Sequence, residues 1–335
     1  MYDWLLDWGV KTTTRNPEEV SKLIPYMGYN FAGASEFPWV VDIRPIEDEF
    51  NYKEQSDFGV GNLISSRYVL TGCSVVADYR FLVPKLVPIM IVKNKDKYKV
   101  MFAPTFLYAK DSPLRLGTRY IHRMSPHPDC DLVYLMGYHY GIIELERAVI
   151  PSPPFVSYLP IHYDPIEVNH WIYRTNDFHW IQCAIGSWGR AYNLNDKNKF
   201  VPNMLTNYKV KYQVRIAPVN YCRKVFQTYC HPKDDCQFPE QKNINVYAMR
   251  CMQVIDEKTA HVCHHDRGAA VVCRSTTNQE SIWTAVGIVS WAAREEHCDP
   301  ADPKPFLVDT IMAATIYYQN LSPYRYFDKP NLVKT

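Results

Sequence analysis

No run of about 18 apolar residues occurs in this 335-residue chain, so the sequence offers no helix to span a bilayer. The first ten residues carry no basic lead, and Asp3 and Asp7 interrupt their apolar positions, so they do not read as a signal peptide. With Met1 as the native start the expected location is intracellular (cytoplasmic); otherwise the alternative is secretion. Neither sign of charge dominates: 37 Lys and Arg face 35 Asp and Glu, for a net charge of +2. That balance supplies no basic surface for nucleic acid or for an anionic membrane. Glycine is scarce, 13 residues against 24 prolines. Internal repeats and low-complexity tracts are absent. Ten cysteines are too few for a disulfide mini-protein and are not spaced as a zinc array.

What is present is aromatic and β-prone. The chain holds 25 Tyr and 8 Trp, and short β-rich runs recur between turns. They are Phe37–Ile43, Gly61–Thr71, Leu86–Val92, Tyr98–Phe102, Gly141–Leu145, Ile181–Ile185, Tyr208–Ile216, Ala269–Val272 and Trp283–Trp291. Many short strands at such spacing predict an all-β sandwich or barrel. Pro151, Pro153 and Pro154 open a loose stretch to about residue 175, the expected internal joint. Residues 1–25 form an N-terminal arm, with Asn16-Pro17-Glu18-Glu19 as a helix start. Leu307, Ile311, Ala314, Tyr318 and Leu321 recur at helical spacing and predict a C-terminal helix.

The stretch from Cys263 to Cys273 carries the strongest motif. Asp266 and Gly268 flank Arg267, and the two cysteines bracket the loop. This resembles the nucleophile loop of trypsin-like serine proteases, Cys-x-Gly-Asp-Ser-Gly-Gly-Pro-Leu-Val-Cys. Six further segments resemble the family in order: Ala32 with Glu36-Phe37-Pro38-Trp39, Asn62–Thr71, Gly141–Val149, Cys183–Gly189, Gly287–Trp291, and Cys298. Together they cover about residues 26–325. The resemblance implies a chymotrypsin-like fold of two six-stranded antiparallel β-barrels with a C-terminal helix. Barrel one would span about 26–150 and barrel two about 151–335.

Position by position, the resemblance also implies loss of the chemistry. Arg267 stands where the family carries its nucleophilic serine, and a permanently charged guanidinium cannot attack a carbonyl. Ser74 stands at the general base and His139 at the aspartate that orients it. Loss of the serine or the histidine alone removes nearly all of the triad's rate advantage. The small residue at the oxyanion hole is His265, and the pocket floor is His261. The activation sequence is replaced by Tyr26-Met27-Gly28-Tyr29 after Pro25, so no activating cut is expected. Asp266 then needs another partner, and Arg267 or a local backbone donor is the expectation. Arg267 either projects to read a partner or folds in to plug the site.

The same resemblance pairs Cys183 with Cys273, Cys222 with Cys251, and Cys263 with Cys298. The family's bridge beside the general base is absent, its two positions falling on Gly59 and Val75. Cys230 and Cys236 are close enough to bridge one loop. Cys73 and Cys130 have no evident mates, and leftover thiols of this kind fit a reducing compartment. His261, Cys263, His264, His265 and Asp266 do not form two tight ligand pairs, so neither a metal nor a cofactor is expected.

These readings converge on a serine protease homologue that is not an enzyme. It would act through protein partners as a scaffold, regulator or structural part of a larger assembly, such as a cytoskeletal one, with no nucleic acid and no membrane span. The alternatives are an active serine endopeptidase or a secreted protease-cascade cofactor, the role that inactive relatives play in arthropods.

Overall fold

The structure is a computed structural model. It describes residues 30–46, 59–82, 87–102, 117–130, 138–162, 181–194, 200–218, 220–222, 224, 249–255, 262–275, 283–292, 310–316 and 332–333. The N-terminal arm, residues 26–29, His261, Cys230, Cys236 and Cys298 lie outside them.

Six antiparallel strands close the first barrel: β2 (Val40–Pro45), β3 (Gly59–Leu63), β4 (Tyr68–Thr71), β7 (Tyr98–Phe102), β8 (Gly117–Pro126) and β9 (Gly141–Leu145), in the order β2-β3-β4-β9-β8-β7. Its interior is aliphatic. Val41, Ile43, Leu63, Val69, Val100, Ile143 and Leu145 are all buried. The strands curl tightly enough that Gly61 has no room for a side chain, since a Cβ there would lie 2.4 Å from Val69. On the other face of β2, Asp42 is buried together with Arg44, from which it accepts a hydrogen bond. Burial raises the Asp42 carboxyl pKa, and the Arg44 guanidinium partly offsets this.

A second ring follows: β11 (Ile181–Leu194), β12 (Phe200–Ala217), β13 (Met249–Val254), β16 (Thr310–Thr315), β15 (Thr284–Trp291) and β14 (Ala270–Ser275), with β14 pairing back to β11. Three short strands extend this sheet. β1 (Asn30–Phe31) pairs with β12, and β10 (Ile161–His162) runs parallel to both β15 and β17 (Leu332–Val333). The architecture is thus two closed six-stranded antiparallel barrels: the all-β class that the short runs predict, in the arrangement that the resemblance implies.

Residues 310–315 correct one expectation. Ile311 and Ala314 belong to strand β16, which sits between β13 and β15 and closes the second barrel. Ile311, Ala313 and Ala314 are all buried. A strand covered on both faces shows no clean period of two, so its apolar residues fell into helical spacing by coincidence. Leu307, Tyr318 and Leu321 lie outside the described residues.

The barrels pack through a continuous core. Trp39, Val40, Val60, Leu70 and Ile142 of the first join Ile185, Tyr212, Val271 and Ile288 of the second in one buried cluster. Asn62 fastens the seam. Its amide donates to Gly268 O at 2.7 Å and to Leu70 O at 3.2 Å, and it accepts from Ala270 N at 3.2 Å. A wholly buried amide with its donor and acceptor engaged holds both barrels to one register. The chain also straps one barrel to the other ahead of β2. Ala32 N bonds Lys209 O at 3.0 Å, and Lys209 Nζ bonds Glu36 O at 2.6 Å. Burial lowers the Lys209 pKa to about 7.

Candidate functional site

Three segments meet where the barrels face each other. After β4, Gly72 leads into the one-turn helix α1 (Cys73–Val76), which carries Ser74. Ahead of β9, residues 138–140 carry His139. Ahead of β14, a 3-10 turn at His264–Asp266 delivers Arg267 and Gly268. Gly72 touches both neighbours: a Cβ there would lie 3.3 Å from His139 Cε1 and 3.4 Å from Gly268 N. Cys73 N bonds His139 O at 3.4 Å, and Val60 N bonds Arg267 O at 2.9 Å. The structure therefore gathers the segments holding Ser74, His139 and Arg267 around Gly72.

Glycine is required at 268. Its φ is +89°, and a Cβ would fall 2.1 Å from Val60 O and 2.3 Å from Thr71 Oγ1. No side chain fits so close to a backbone carbonyl. This contact seats the Arg267 loop against the first barrel.

Asp266 is fully buried. It accepts from Cys263 N at 2.8 Å, from the Ser187 hydroxyl and from the Tyr212 hydroxyl at 3.5 Å, and His265 Nε2 lies 3.3 Å away. The expected local backbone donor is there, supplied by Cys263. Two hydroxyls reaching across from β11 and β12 complete the cage, and a buried carboxylate so bonded is a stable structural anchor. Ser187 lies in the Cys183–Gly189 motif, but its reach across 79 positions was invisible along the chain.

Arg267 is turned inward, with 8% of its surface exposed. Its Nε donates to His264 O at 3.0 Å, and its backbone N–H points to the same oxygen at 3.3 Å. That backbone N–H thus closes the 3-10 turn. His265 is buried, 3% exposed, against Asp266.

His139 is completely buried, and neither ring nitrogen has a hydrogen-bond partner among the described residues. Burial, reinforced by the Arg267 charge, lowers its pKa to about 3, so the ring is neutral at physiological pH. The Ser74 hydroxyl is likewise buried and without a partner among the described residues. Among the described residues, the Ser74 hydroxyl and the His139 ring therefore make no hydrogen bond to each other. His261 lies outside the described residues.

Cysteine pairing is partly as expected. Cys183 bonds Cys273, and Cys222 bonds Cys251. Cys263 is also disulfide-bonded, with its partner outside the described residues, as is the expected partner Cys298. Gly59 and Val75 are neighbours: the point a Cβ would occupy at Gly59 lies 3.2 Å from the Val75 Cβ. Apolar contact fills that place. Cys73 and Cys130 correct the reading of leftover thiols, because they bond each other. The turn at 127–130 makes this possible. His127 stacks on Tyr138 with ring centroids 5.0 Å apart and bonds Tyr140 O through its backbone at 2.9 Å, while Cys130 N bonds His127 O at 3.0 Å. That packing carries Cys130 to α1, and nothing in the spacing of Cys73 and Cys130 announces it.

No helix among the described residues is long and apolar enough to cross a membrane. Scanned against models of protein families the chain matches none, and a search of the curated proteins finds no match. Two closed six-stranded barrels with disulfides are compatible with a chymotrypsin-like fold, with Ser74, His139 and Arg267 on the three segments that meet at the seam.

Proposed function

We propose that this chain is a trypsin-like serine protease homologue that has kept the double barrel and no longer performs the hydrolysis. Its role is then to bind other proteins, as a regulatory or structural component. The observation that carries the reading is Arg267: buried, with Nε and backbone N–H both directed at His264 O. Where acyl transfer needs a nucleophile, a base and outward-pointing donors, the site holds a guanidinium, an unbonded hydroxyl and a neutral, unbonded imidazole. An arginine turned inward in this way plugs the site.

The disulfides favour an oxidising compartment for this role. Three of them lie wholly within the described residues, and the Cys73–Cys130 pair removes the leftover thiols that pointed to the cytoplasm. A secreted binding partner, in the manner of a protease-cascade cofactor, therefore accounts for more of the chain than a cytoskeletal part does.

The test is pre-steady-state kinetics with an activated ester. The proposal expects no burst of released alcohol and no turnover above buffer. A burst equal to the protein concentration, removed by Ser74→Ala, would overturn it.

A further inference from the structure

Between α1 and β7 the chain inserts a hairpin belonging to neither barrel: β5 (Ala77–Leu82) pairs only with β6 (Val87–Val92) among the described residues. Its base is fixed. Lys93 N bonds Val76 O at 2.9 Å, and Met90 Sδ lies 3.9 Å from Cys73 Sγ of the Cys73–Cys130 bridge. The hairpin thus stands beside the segment that carries Ser74. A two-stranded ribbon leaves a row of backbone donors and acceptors open on each outer edge, and it is marginal in water by itself.

The two edges differ. β6 contains Pro88, which has no N–H to offer, and it lies against β8. β5 contains no proline, and it carries opposite charges two places apart, Asp78 and Arg80, both exposed. Lys93 Nζ sits 3.7 Å from Asp78, whose side chain is nevertheless 66% exposed. Arg80 has no bonded partner among the described residues. Met90 and Val92 of the neighbouring strand are exposed as well, at 38% and 47%.

Charges arranged this way complement their own reverse. If two β5 strands run antiparallel about a two-fold axis at Tyr79, the register places Asp78 of each opposite Arg80 of the other. Both ion pairs form at once, and the edges complete each other's hydrogen-bond ladder. A self-complementary patch of this type makes a closed, isologous dimer. We infer that the β5 edge is a homodimerisation surface and that its partner is a second copy of this chain, giving a four-stranded sheet in the order β6-β5-β5-β6. The inference goes beyond the proposed function and does not depend on the site being non-catalytic.

Sedimentation velocity on the full chain, with circular dichroism to confirm folding, tests it by charge exchange. Wild type is expected to sediment as a dimer that weakens as salt rises. Asp78→Arg sets two arginines opposite each other, and Arg80→Asp sets two aspartates; each should weaken association at least about tenfold. The double exchange, Asp78→Arg with Arg80→Asp, restores both pairs in the opposite sense and should return the dimer. A wild type that stays monomeric at the highest concentration reached overturns the inference. So does a dimer indifferent to either single reversal, or a folded double exchange that remains monomeric.

Discussion

His139 is fully buried at the seam. Its pKa falls from an ordinary 6.5 to about 3 because burial penalises the charged ring and Arg267 repels it. Between those values the unfolded chain binds a proton that the folded chain does not, so stability falls as pH drops from about 6.5 toward 3. Above 6.5 the contribution is fully present. The shift sets an upper bound of about 5 kcal/mol on the loss. His139→Leu removes the titration together with two unpartnered nitrogens in a fully buried place. We expect a flatter acid limb and an unchanged or higher melting temperature at neutral pH, read from thermal unfolding between pH 4 and 7. A variant that loses stability equally at every pH would show that the ring serves packing alone. Ser74, His139 and Arg267 were named in the sequence through the family resemblance, and the fold brings the segments that carry them together around Gly72. The partners of Asp266 were not, because Ser187 and Tyr212 are 79 and 54 positions away and only barrel closure brings them in.

At the level of elements, α1 depends on its tether. Four residues make a poor helix alone, and the Cys73–Cys130 bridge joins it to the turn at 127–130 across 57 positions. Closing a loop of that size is worth about 4 kcal/mol in the chain-entropy account. Cys73→Ala with Cys130→Ala should lower stability by about 2–4 kcal/mol in denaturant titration. Non-reducing peptide mapping of the native protein should recover the two cysteines in one linked pair, and finding both as free thiols would refute the pairing. Strand content was easier to foresee than these tethers. Tyr98–Phe102 and Gly141–Leu145 match β7 and β9 end to end, because short apolar runs between turns are a local signal. β8 and β13 escaped notice. Gly117–Pro126 mixes Arg, His and Ser with its apolar positions, and Met249–Val254 is nearly all buried without alternation. β16 read as helix for the related reason that it is buried on both faces, the consecutive Ala313 and Ala314 alike.

Taken as one body, the protein joins its two barrels along a seam of buried, bonded groups. Asn62 and Gly268 fix the two barrels to each other, and the buried Asp266 ties the loop ahead of β14 to β11 and β12. Arg267 follows that anchor, largely buried, with its Nε and backbone N–H directed at His264 O. On the proposed reading the capacity for partners lies on the outside, in the β5–β6 hairpin. Labelling by a fluorophosphonate probe, with heat-denatured protein as background and trypsin as positive control, addresses this account directly. It predicts that the folded protein is labelled no more than the denatured one. Stoichiometric labelling of a serine in the folded protein, abolished on denaturation, would contradict it.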